Sequence, residues 1–314
     1  MTLSRHWPSA VGLAVGYLAD RVFGDPRRGH PVAVFGAAAA WLEVRCYADR
    51  RSAGLVHAGA LVGAAIGLGA ALERLASSRS LTTVVTTAVA TWAVLGSRSL
   101  SREAATVAGQ LAGGQLIAAR DQVRHLVGRD TAELSEEGVA RATVESVAEN
   151  ASDAIVAPLL WGAVAGMPGL LGYRAANTLD AMIGHRSARY LRFGWAAARL
   201  DDLANWVPAR VAALTAAACA PLVGGTARNA IDAIRRDAGQ HPSPNAGVIE
   251  AAFAGALDVR LGGRNVYHGV AEDRGTLGNG RPVAVADIAR AARLAAAVSL
   301  SALATAVLIR GLRP

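Results

Sequence analysis

The sequence contains no lysine, so all 32 of its strongly basic residues are arginines. A Walker phosphate-binding loop requires a lysine before its Ser or Thr, and this chain therefore cannot contain one. Cysteine is also scarce: Cys46 and Cys219 are far apart and lack metal-ligand spacing, which argues against a disulfide scaffold or a zinc site. No basic run is interleaved with aromatic residues, so we expect no nucleic-acid partner.

Charged residues are few as well. They make up 18% of the chain, whereas about 25% is usual for a soluble protein. Hydrophobic residues make up 53%, and the mean hydropathy is +0.30. This composition is typical of a membrane protein, and the net charge of +8 suits contact with anionic lipid head groups or with an acidic substrate.

Long apolar segments recur along the chain. The clearest is Ala53–Leu72, twenty residues without a formal charge, which would span about 30 Å as a helix. Its Gly59, Gly63 and Gly67 form a small-residue face that we expect to pack closely on another helix. Further apolar segments occupy residues 7–19, 81–96, 154–171, 211–227 and 294–309. We therefore predict an all-α, polytopic integral membrane protein with a single membrane-embedded domain over residues 1–314.

The first apolar segment resembles the core of a signal peptide because it follows Arg5. No cleavage site follows it cleanly, so we expect the segment to be retained. Directly after it, the motif DRVFGDPRRGHPV places Asp20, Asp25 and His30 around two prolines and two glycines. This pattern predicts a fixed loop between helices that holds a ligand. The alternative is structural, with Asp25 as a turn former and His30 at a helix start.

Two polar tracts, about 97–153 and 228–287, are predicted to be cytoplasmic and helical. In the first tract, apolar residues recur at helical spacing, and we expect a helix to stop at Gly128 and another to start at Thr131 or Ser135. The second tract contains HPSPNAG, whose prolines, Asn245 and Gly247 predict a rigid turn. Such a turn is either a backbone cradle for an anion or a helix-capping loop.

The stretch from Glu145 to Arg210 combines apolar sequence with regularly spaced polar residues. Glu145, Glu149 and Asp153 lie at i, i+4 and i+8, and therefore on one face of a helix. Three acids on one face repel one another unless a cation lies between them, which suggests a magnesium platform. The alternative is a solvated helix face.

Two further polar clusters follow within the same stretch. Their members are Arg174, Asn177 and Asp180 in the first, and Asp201, Asp202 and Asn205, near Arg199 and Arg210, in the second. Ionisable residues at membrane depth are costly and mark functional sites. If the intervening segment 154–171 is a broken or re-entrant helix at Pro158 and Pro168, all three clusters can serve a single site.

Seven motifs in order resemble one protein family: DRVFGDPRRGHPV, GRDT, ESVAENASDAIVAPL, YRAANTLDAMIGH, ARLDDLANWVPAR, HPSPNAG, and LGG with a nearby Tyr and Gly. They are similar to those of the CobD/CbiB family of adenosylcobinamide-phosphate synthases, over roughly residues 16–282. The resemblance implies a multi-pass protein of the bacterial inner membrane with its site facing the cytoplasm. It also implies ATP-dependent, Mg²⁺-assisted amide formation between adenosylcobyric acid and aminopropanol or its phosphate.

The resemblance suggests roles for the polar residues. The predicted catalytic acids are Glu145, Glu149, Asp153, Asp201 and Asp202, of which Glu145, Glu149, Asp153 and Asp201 are also predicted magnesium ligands. The predicted substrate-binding residues are Asp20, Asp25, His30, Arg129, Asp130, Asn150, Arg174, Asn177, Asp180, Asn205, Arg210, Ser243 and Asn245.

Two other classes of function are kept as alternatives. A membrane transporter also places carboxylates and broken helices at membrane depth, but has little need for the long polar tracts. A non-catalytic corrinoid-binding membrane protein would tolerate loss of the acid clusters. Whether the chain forms a homo-oligomer or a complex with other enzymes of the cobalamin pathway stays open.

Overall fold

The computed structural model describes residues 6–26, 29–267 and 270–313, and helices dominate them. In chain order the α-helices are α1 (Trp7–Phe23), α2 (Pro31–Cys46), α3 (Arg51–Ala76), α4 (Ser80–Val94), α5 (Ser97–Ala112), α6 (Leu116–Val123), α7 (Glu136–Ala151), α8 (Ala157–Leu179), α9 (Tyr190–Phe193), α10 (Trp195–Cys219), α11 (Ala227–Asp237), α12 (Ala246–Leu257) and α13 (Val285–Gly311). Two strands, β1 (Leu261–Tyr267) and β2 (Val270–Leu277), form an antiparallel hairpin.

The chain divides into two compact units. The first unit comprises residues 1–96, 157–205 and 302–314, and the second comprises residues 97–156 and 206–301. Both polar tracts predicted from the sequence fall in the second unit. Helices α10 and α13 each contribute residues to both units.

Five helical stretches of the described residues are long and apolar enough to cross a membrane. They are Arg51–Ala76, Ser80–Ala112, Glu136–Gly184, Trp195–Val223 and Val285–Gly311. Each contains or overlaps an apolar segment predicted from the sequence. The prediction of an all-α polytopic membrane protein is therefore confirmed, with the β-hairpin as a small addition.

Close helix packing in the first unit depends on glycines, but not on the predicted ones. A Cβ on Gly69 of α3 would lie 2.6 Å from the backbone nitrogen of Pro168 in α8, so only glycine allows this approach. Apart from the adjoining backbone of α3 itself, no atom of the described residues lies within 4 Å of a Cβ built on Gly59, Gly63 or Gly67. The predicted packing face was therefore wrong within this chain, because helical spacing identifies a face without identifying its neighbour.

Helix α8 is broken, as the prolines predicted. The backbone leaves helical geometry at Gly166, with φ 66° and ψ −149°, two residues before Pro168. A Cβ on Gly166 would lie 2.6 Å from a carboxylate oxygen of Glu73 and 2.8 Å from the guanidinium of Arg310. Glycine is favoured here by the positive φ, whereas the two side-chain ends could move aside for a Cβ. Whether the segment is also re-entrant stays a prediction.

Single π-helical turns flank α8. They span Ser152–Val156 and Asp180–Gly184, and so contain two predicted site residues, Asp153 and Asp180. A π-turn inserts an extra residue into a helix and is frequent at functional sites. The sequence pattern assumed regular α-helical spacing for both acids, at i+8 from Glu145 for Asp153 and at i+6 from Arg174 for Asp180, and the π-turns depart from that spacing.

The second unit differs from the sequence prediction in a β-hairpin and in the end of one helix. The segment LGGRNVY forms β1 and pairs with β2 through partners such as Leu261 with Leu277, with a bulge between Gly262 and Arg264. Gly262 and Gly263 both have φ of +78°, which helical residues do not adopt. Helix α6 ends at Val123 rather than at Gly128, whereas α7 does start at the predicted cap, Ser135.

Candidate functional site

The second unit contains a buried ion pair between Arg129 and Glu145. Arg129 follows α6, donates to the Glu145 carboxylate on α7, and donates through Nη1 to Asn265 Oδ1 on β1 at 2.5 Å. The backbone nitrogen of Gly262 donates to the other Glu145 oxygen, Oε1, at 2.7 Å. Both side chains of the ion pair are more than nine-tenths buried. The pair thus joins α7 to the β-hairpin.

Both oxygens of Glu145 are engaged by protein donors, which bears on its predicted role as a magnesium ligand. A cation would have to compete with a charge-assisted hydrogen bond from Arg129. Among the residues that the structure describes, no group of three or more His, Cys, Asp or Glu side chains is arranged to hold a metal ion. Mg²⁺ is often bound through one or two carboxylates with water and substrate phosphates. Glu149 on α7 and Asp153 in the π-turn that follows it are therefore the simpler pair of candidate ligands.

Sequence reasoning missed a buried acid near this pair, Glu250 of α12. The Glu250 residue is 2% exposed, and burial raises its pKa well above the ordinary value of 4.5. The carboxylates of Glu145 and Glu149 raise this pKa further, whereas Arg274 and Arg129 lower it. A single acid in the apolar helix AGVIEAAFAGAL was the available signal.

His241 accompanies Glu250 and was also missed. Its Nδ1 accepts from the backbone nitrogen of Ser243 at 3.0 Å, and its Nε2 lies 3.9 Å from Glu250 Oε1. Burial, followed by the charge of Arg274, lowers the His241 pKa to about 4. The imidazole is therefore neutral near pH 7, and its Nδ1 lies beside both the backbone nitrogen and the carbonyl oxygen of Ser243.

We expect His241 to make stability depend on pH. Its folded pKa of about 4 lies below the ordinary 6.5, so the unfolded chain binds more protons between these values. Folding stability should fall by up to about 3 kcal/mol from this group as the pH drops through that window. The pKa of Glu250 is raised in the folded protein, so this group makes folding stability increase as the pH falls.

Substitution of His241 separates its contribution to the pH dependence of stability from that of other groups. Denaturant unfolding of native protein and His241→Asn in detergent should show a smaller loss of stability at low pH in the variant. His125→Asn, whose side chain is 69% exposed, is the control and should follow the native profile. Identical profiles for native protein and His241→Asn would contradict the neutral, buried state of His241.

The HPSPNAG turn and Arg210 meet in the second unit. Arg210 donates from Nη1 to Asn245 Oδ1 at 2.9 Å and from Nη2 to the Pro244 carbonyl at 3.2 Å. Ser243 Oγ accepts from the backbone nitrogen of Ala246 at 3.2 Å, at the start of α12. The turn therefore caps a helix, and the two predicted substrate-binding residues Arg210 and Asn245 are in direct contact.

Three other predicted residues of this unit lie on or beside α7. Asn150 Nδ2 donates to the Ser146 carbonyl at 2.9 Å, which returns it to its own helix. The backbone nitrogen of Asp130 donates to the Val266 carbonyl at 2.8 Å and so attaches the Arg129 loop to β1. Asp153 lies in the π-turn at the end of α7.

In the first unit, the second and third predicted clusters join across α8 and α10. Arg174 Nη1 donates to Asn177 Oδ1 at 3.4 Å, and Asn177 Nδ2 donates to Asp201 Oδ1 at 3.3 Å. Nearby in sequence, Tyr173 donates to Asn205 Oδ1 at 2.8 Å, and Arg199 pairs with Asp202 at 3.1 Å. The sequence predicted both clusters but not that Asn177 would connect them.

The N-terminal loop motif shows the structural interpretation, and its role in holding a ligand stays a prediction. His30 Nδ1 accepts from the backbone nitrogen of Val32 at 3.2 Å and so caps α2, as the structural alternative proposed. Its Nε2 also lies 3.4 Å from Asp25 Oδ1. Asp20 is fully buried in α1. Arg27 and Arg28 of the motif lie outside the described residues.

The predicted site residues are thus divided between the two units. Glu145, Glu149 and Asp153 belong to the second unit, whereas the clusters around Asn177 and Asp201 belong to the first. Within each unit, the acids are accompanied by arginines and amides. That these residues of both units serve one shared site stays a prediction.

Comparisons with known proteins agree on one family. A model of the CobD/Cbib protein family matches residues 13–295. The chain is 58% identical over 300 residues to the cobalamin biosynthesis protein CobD of Mycobacterium tuberculosis strain H37Rv, covering 96% of this chain and 95% of that protein. It is 43% identical over 296 residues to the CobD of Sinorhizobium fredii, covering 88% of each. No solved structure matches the chain.

Proposed function

We propose a specific reaction from the premise that this chain belongs to the CobD/CbiB family and acts in cobalamin biosynthesis. In this reaction the protein joins a carboxyl group of adenosylcobyric acid to the amine of aminopropanol phosphate, or of aminopropanol, with consumption of ATP. The product with the phosphorylated amine is adenosylcobinamide phosphate. The family match across residues 13–295 carries the proposal, and the acid and arginine clusters of both units support it.

The chemistry requires activation of a poor electrophile. The corrinoid carboxylate attacks the terminal phosphorus of ATP, which forms an acyl phosphate and releases ADP. The amine, after loss of a proton from its ammonium form, attacks the acyl carbon, and inorganic phosphate leaves as the amide forms. Acids are needed to accept the proton, and cations are needed to stabilise the phosphate charge.

The residues fit these needs within each unit. In the second unit, Glu149 and Asp153 would hold Mg²⁺, which supplies charge neutralisation at the phosphates when bound. Glu145 would join them only by giving up its hydrogen bond from Arg129 or from Gly262. In the first unit, Asp201 is either a further magnesium ligand or, with Asp202, the base for the ammonium. Arg129, Arg174 and Arg210 are the proposed partners of phosphate or substrate carboxylate. Because ATP is intracellular, the proposed site faces the cytoplasm.

A reconstituted assay tests the reaction. Purified protein is supplied with adenosylcobyric acid, aminopropanol phosphate and Mg·ATP, and both ADP and amide are measured. We expect ADP release that requires the corrinoid and an equal amount of amidated product. Absence of both products with corrinoid flux into liposomes would favour a transporter, and corrinoid binding without product or flux would favour a non-catalytic binder.

A further inference from the structure

We propose that a cavity beside the β-hairpin binds a phosphoryl group. The cavity has a volume of about 230 Å³, and its lining includes Glu137, Arg141, Arg260, Gly262, Gly263 and Thr276. We call it the hairpin cavity. The identity of its ligand rests on the proposed function, since that reaction uses two phosphorylated substrates.

The charge of the cavity favours an anion. Neither Arg141 nor Arg260 forms an ion pair with any residue that the structure describes, and Glu137 is the one acid among the lining residues. Arg141 Nη1 donates to the neutral carbonyl of Gly262, and its buried Nε has no hydrogen-bond partner. No described acid therefore pairs with Arg141, and one of its N–H donors is left without a hydrogen-bond partner. Guanidinium groups bind phosphate in this way through paired hydrogen bonds.

The backbone of the cavity wall also suits a close ligand. Gly262 and Gly263 both have φ of +78°, and Gly263 falls in the β-bulge, without a register partner in β2. A Cβ on Gly263 would lie 3.1 Å from Arg141 Nη1, so a side chain there would crowd the guanidinium. Glycine keeps this part of the wall open and lets a ligand approach the backbone.

The cavity shares a helix face with the predicted magnesium acids. Glu137, Arg141, Glu145 and Glu149 follow one another at intervals of four residues along α7. Gly262 links the two groups directly, because its nitrogen donates to Glu145 and its carbonyl accepts from Arg141. A phosphoryl group in the cavity would therefore lie beside the acids that the proposed reaction needs.

Size limits what the cavity can hold. Pockets that enclose a drug-sized molecule measure about 300–1,000 Å³, whereas this one measures about 230 Å³. The volume suits a phosphoryl group rather than a whole nucleotide or a corrin. The ligand is then either the phosphate end of ATP or the phosphomonoester of the amino alcohol, and both present the same chemistry to the two arginines.

Binding measurements on the full-length protein test this site. Arg260→Gln removes an exposed charge, and Arg141→Gln removes the half-buried one. Arg264→Gln is the matched control, since Arg264 is exposed on the same hairpin and is not among the lining residues. The probes are inorganic pyrophosphate, a non-hydrolysable ATP analogue, aminopropanol phosphate, and unphosphorylated aminopropanol, each titrated by calorimetry.

We expect Arg260→Gln and Arg141→Gln each to weaken pyrophosphate binding by about tenfold or more, with no change for aminopropanol or in the control. If the variants weaken binding of the ATP analogue but not of aminopropanol phosphate, the phosphoryl group in the cavity belongs to the nucleotide. If they weaken binding of aminopropanol phosphate but not of the ATP analogue, it belongs to the amine substrate. Native affinity for pyrophosphate in both variants, or absence of binding to native protein, would overturn the site. A further outcome is that the native protein binds pyrophosphate without forming amide in the reconstituted assay. If both variants then lose pyrophosphate binding, the proposed reaction is wrong and the phosphoryl site is still supported.

Discussion

Replacement of Glu149 by Gln is expected to lower the rate of amide formation by at least about 100-fold, the scale on which general acid–base groups contribute. An amide side chain has nearly the same shape as the carboxylate, but it carries no negative charge for Mg²⁺ and accepts no proton near pH 7. Glu149 lies on α7 one turn after the engaged Glu145, on the face that carries the hairpin cavity. The rate is measured as amide formed in the reconstituted assay at saturating Mg·ATP.

The controls separate lost chemistry from lost structure. Glu136→Gln changes an exposed glutamate in the first turn of the same helix and should retain the native rate. Asp201→Asn tests the corresponding acid of the first unit, where Asp201 accepts from Asn177. Both site variants should purify as folded, membrane-inserted protein. Near-native rates in Glu149→Gln and Asp201→Asn together would show that the assignment of the acids is wrong.

Replacement of Arg129 by Met is expected to lower the free energy of unfolding by about 3–5 kcal/mol, because it leaves the Glu145 carboxylate buried without its cation. The two side chains of this pair are only 4% and 6% exposed. The substitution also removes the Arg129 hydrogen bond to Asn265, and with it a link to the hairpin. The measurement is chemical unfolding of purified protein in detergent.

A second ion pair provides the matched comparison. Arg192 and Asp49 lie 3.7 Å apart with side chains 65% and 57% exposed, so Arg192→Met should cost less than about 1 kcal/mol. The double variant Arg129→Met with Glu145→Leu should regain part of the stability lost in the single variant, since it removes the uncompensated charge. A loss at Arg129 no larger than that at Arg192 would contradict the burial of the pair.

The membrane helices were predictable because their signals are local. Length and apolar composition decide whether a helix can span a bilayer, and both can be counted over a window such as Arg51–Ala76. The break in α8 was also encoded locally, by Pro168 and by the glycine two residues before it. The helix caps at Ser135 and His30 were also predictable from local sequence, since a cap involves only its own helix.

The pairing of polar groups was not predictable in the same way. Arg129 pairs with Glu145, 16 residues later, and contacts Asn265, 136 residues later, although Asp130 is its neighbour in sequence. The glycine face of α3 shows the same limit, since the close contact occurs at Gly69 instead. Helical periodicity states which residues share a face, but the partner of that face is set by long-range packing.

The sequence by itself therefore determined the class of the protein, its family resemblance and the residue types available for chemistry, because composition, apolar length and motif order are properties of the chain. Only the tertiary structure decided how those residues are grouped. Folding of the β-hairpin against α7 places Gly262, Arg129 and Glu145 together, and folding of α12 buries Glu250 and His241 near them. The hairpin contacts join residues more than 100 positions apart, and their geometry depends on burial and on hydrogen bonds that no local pattern specifies.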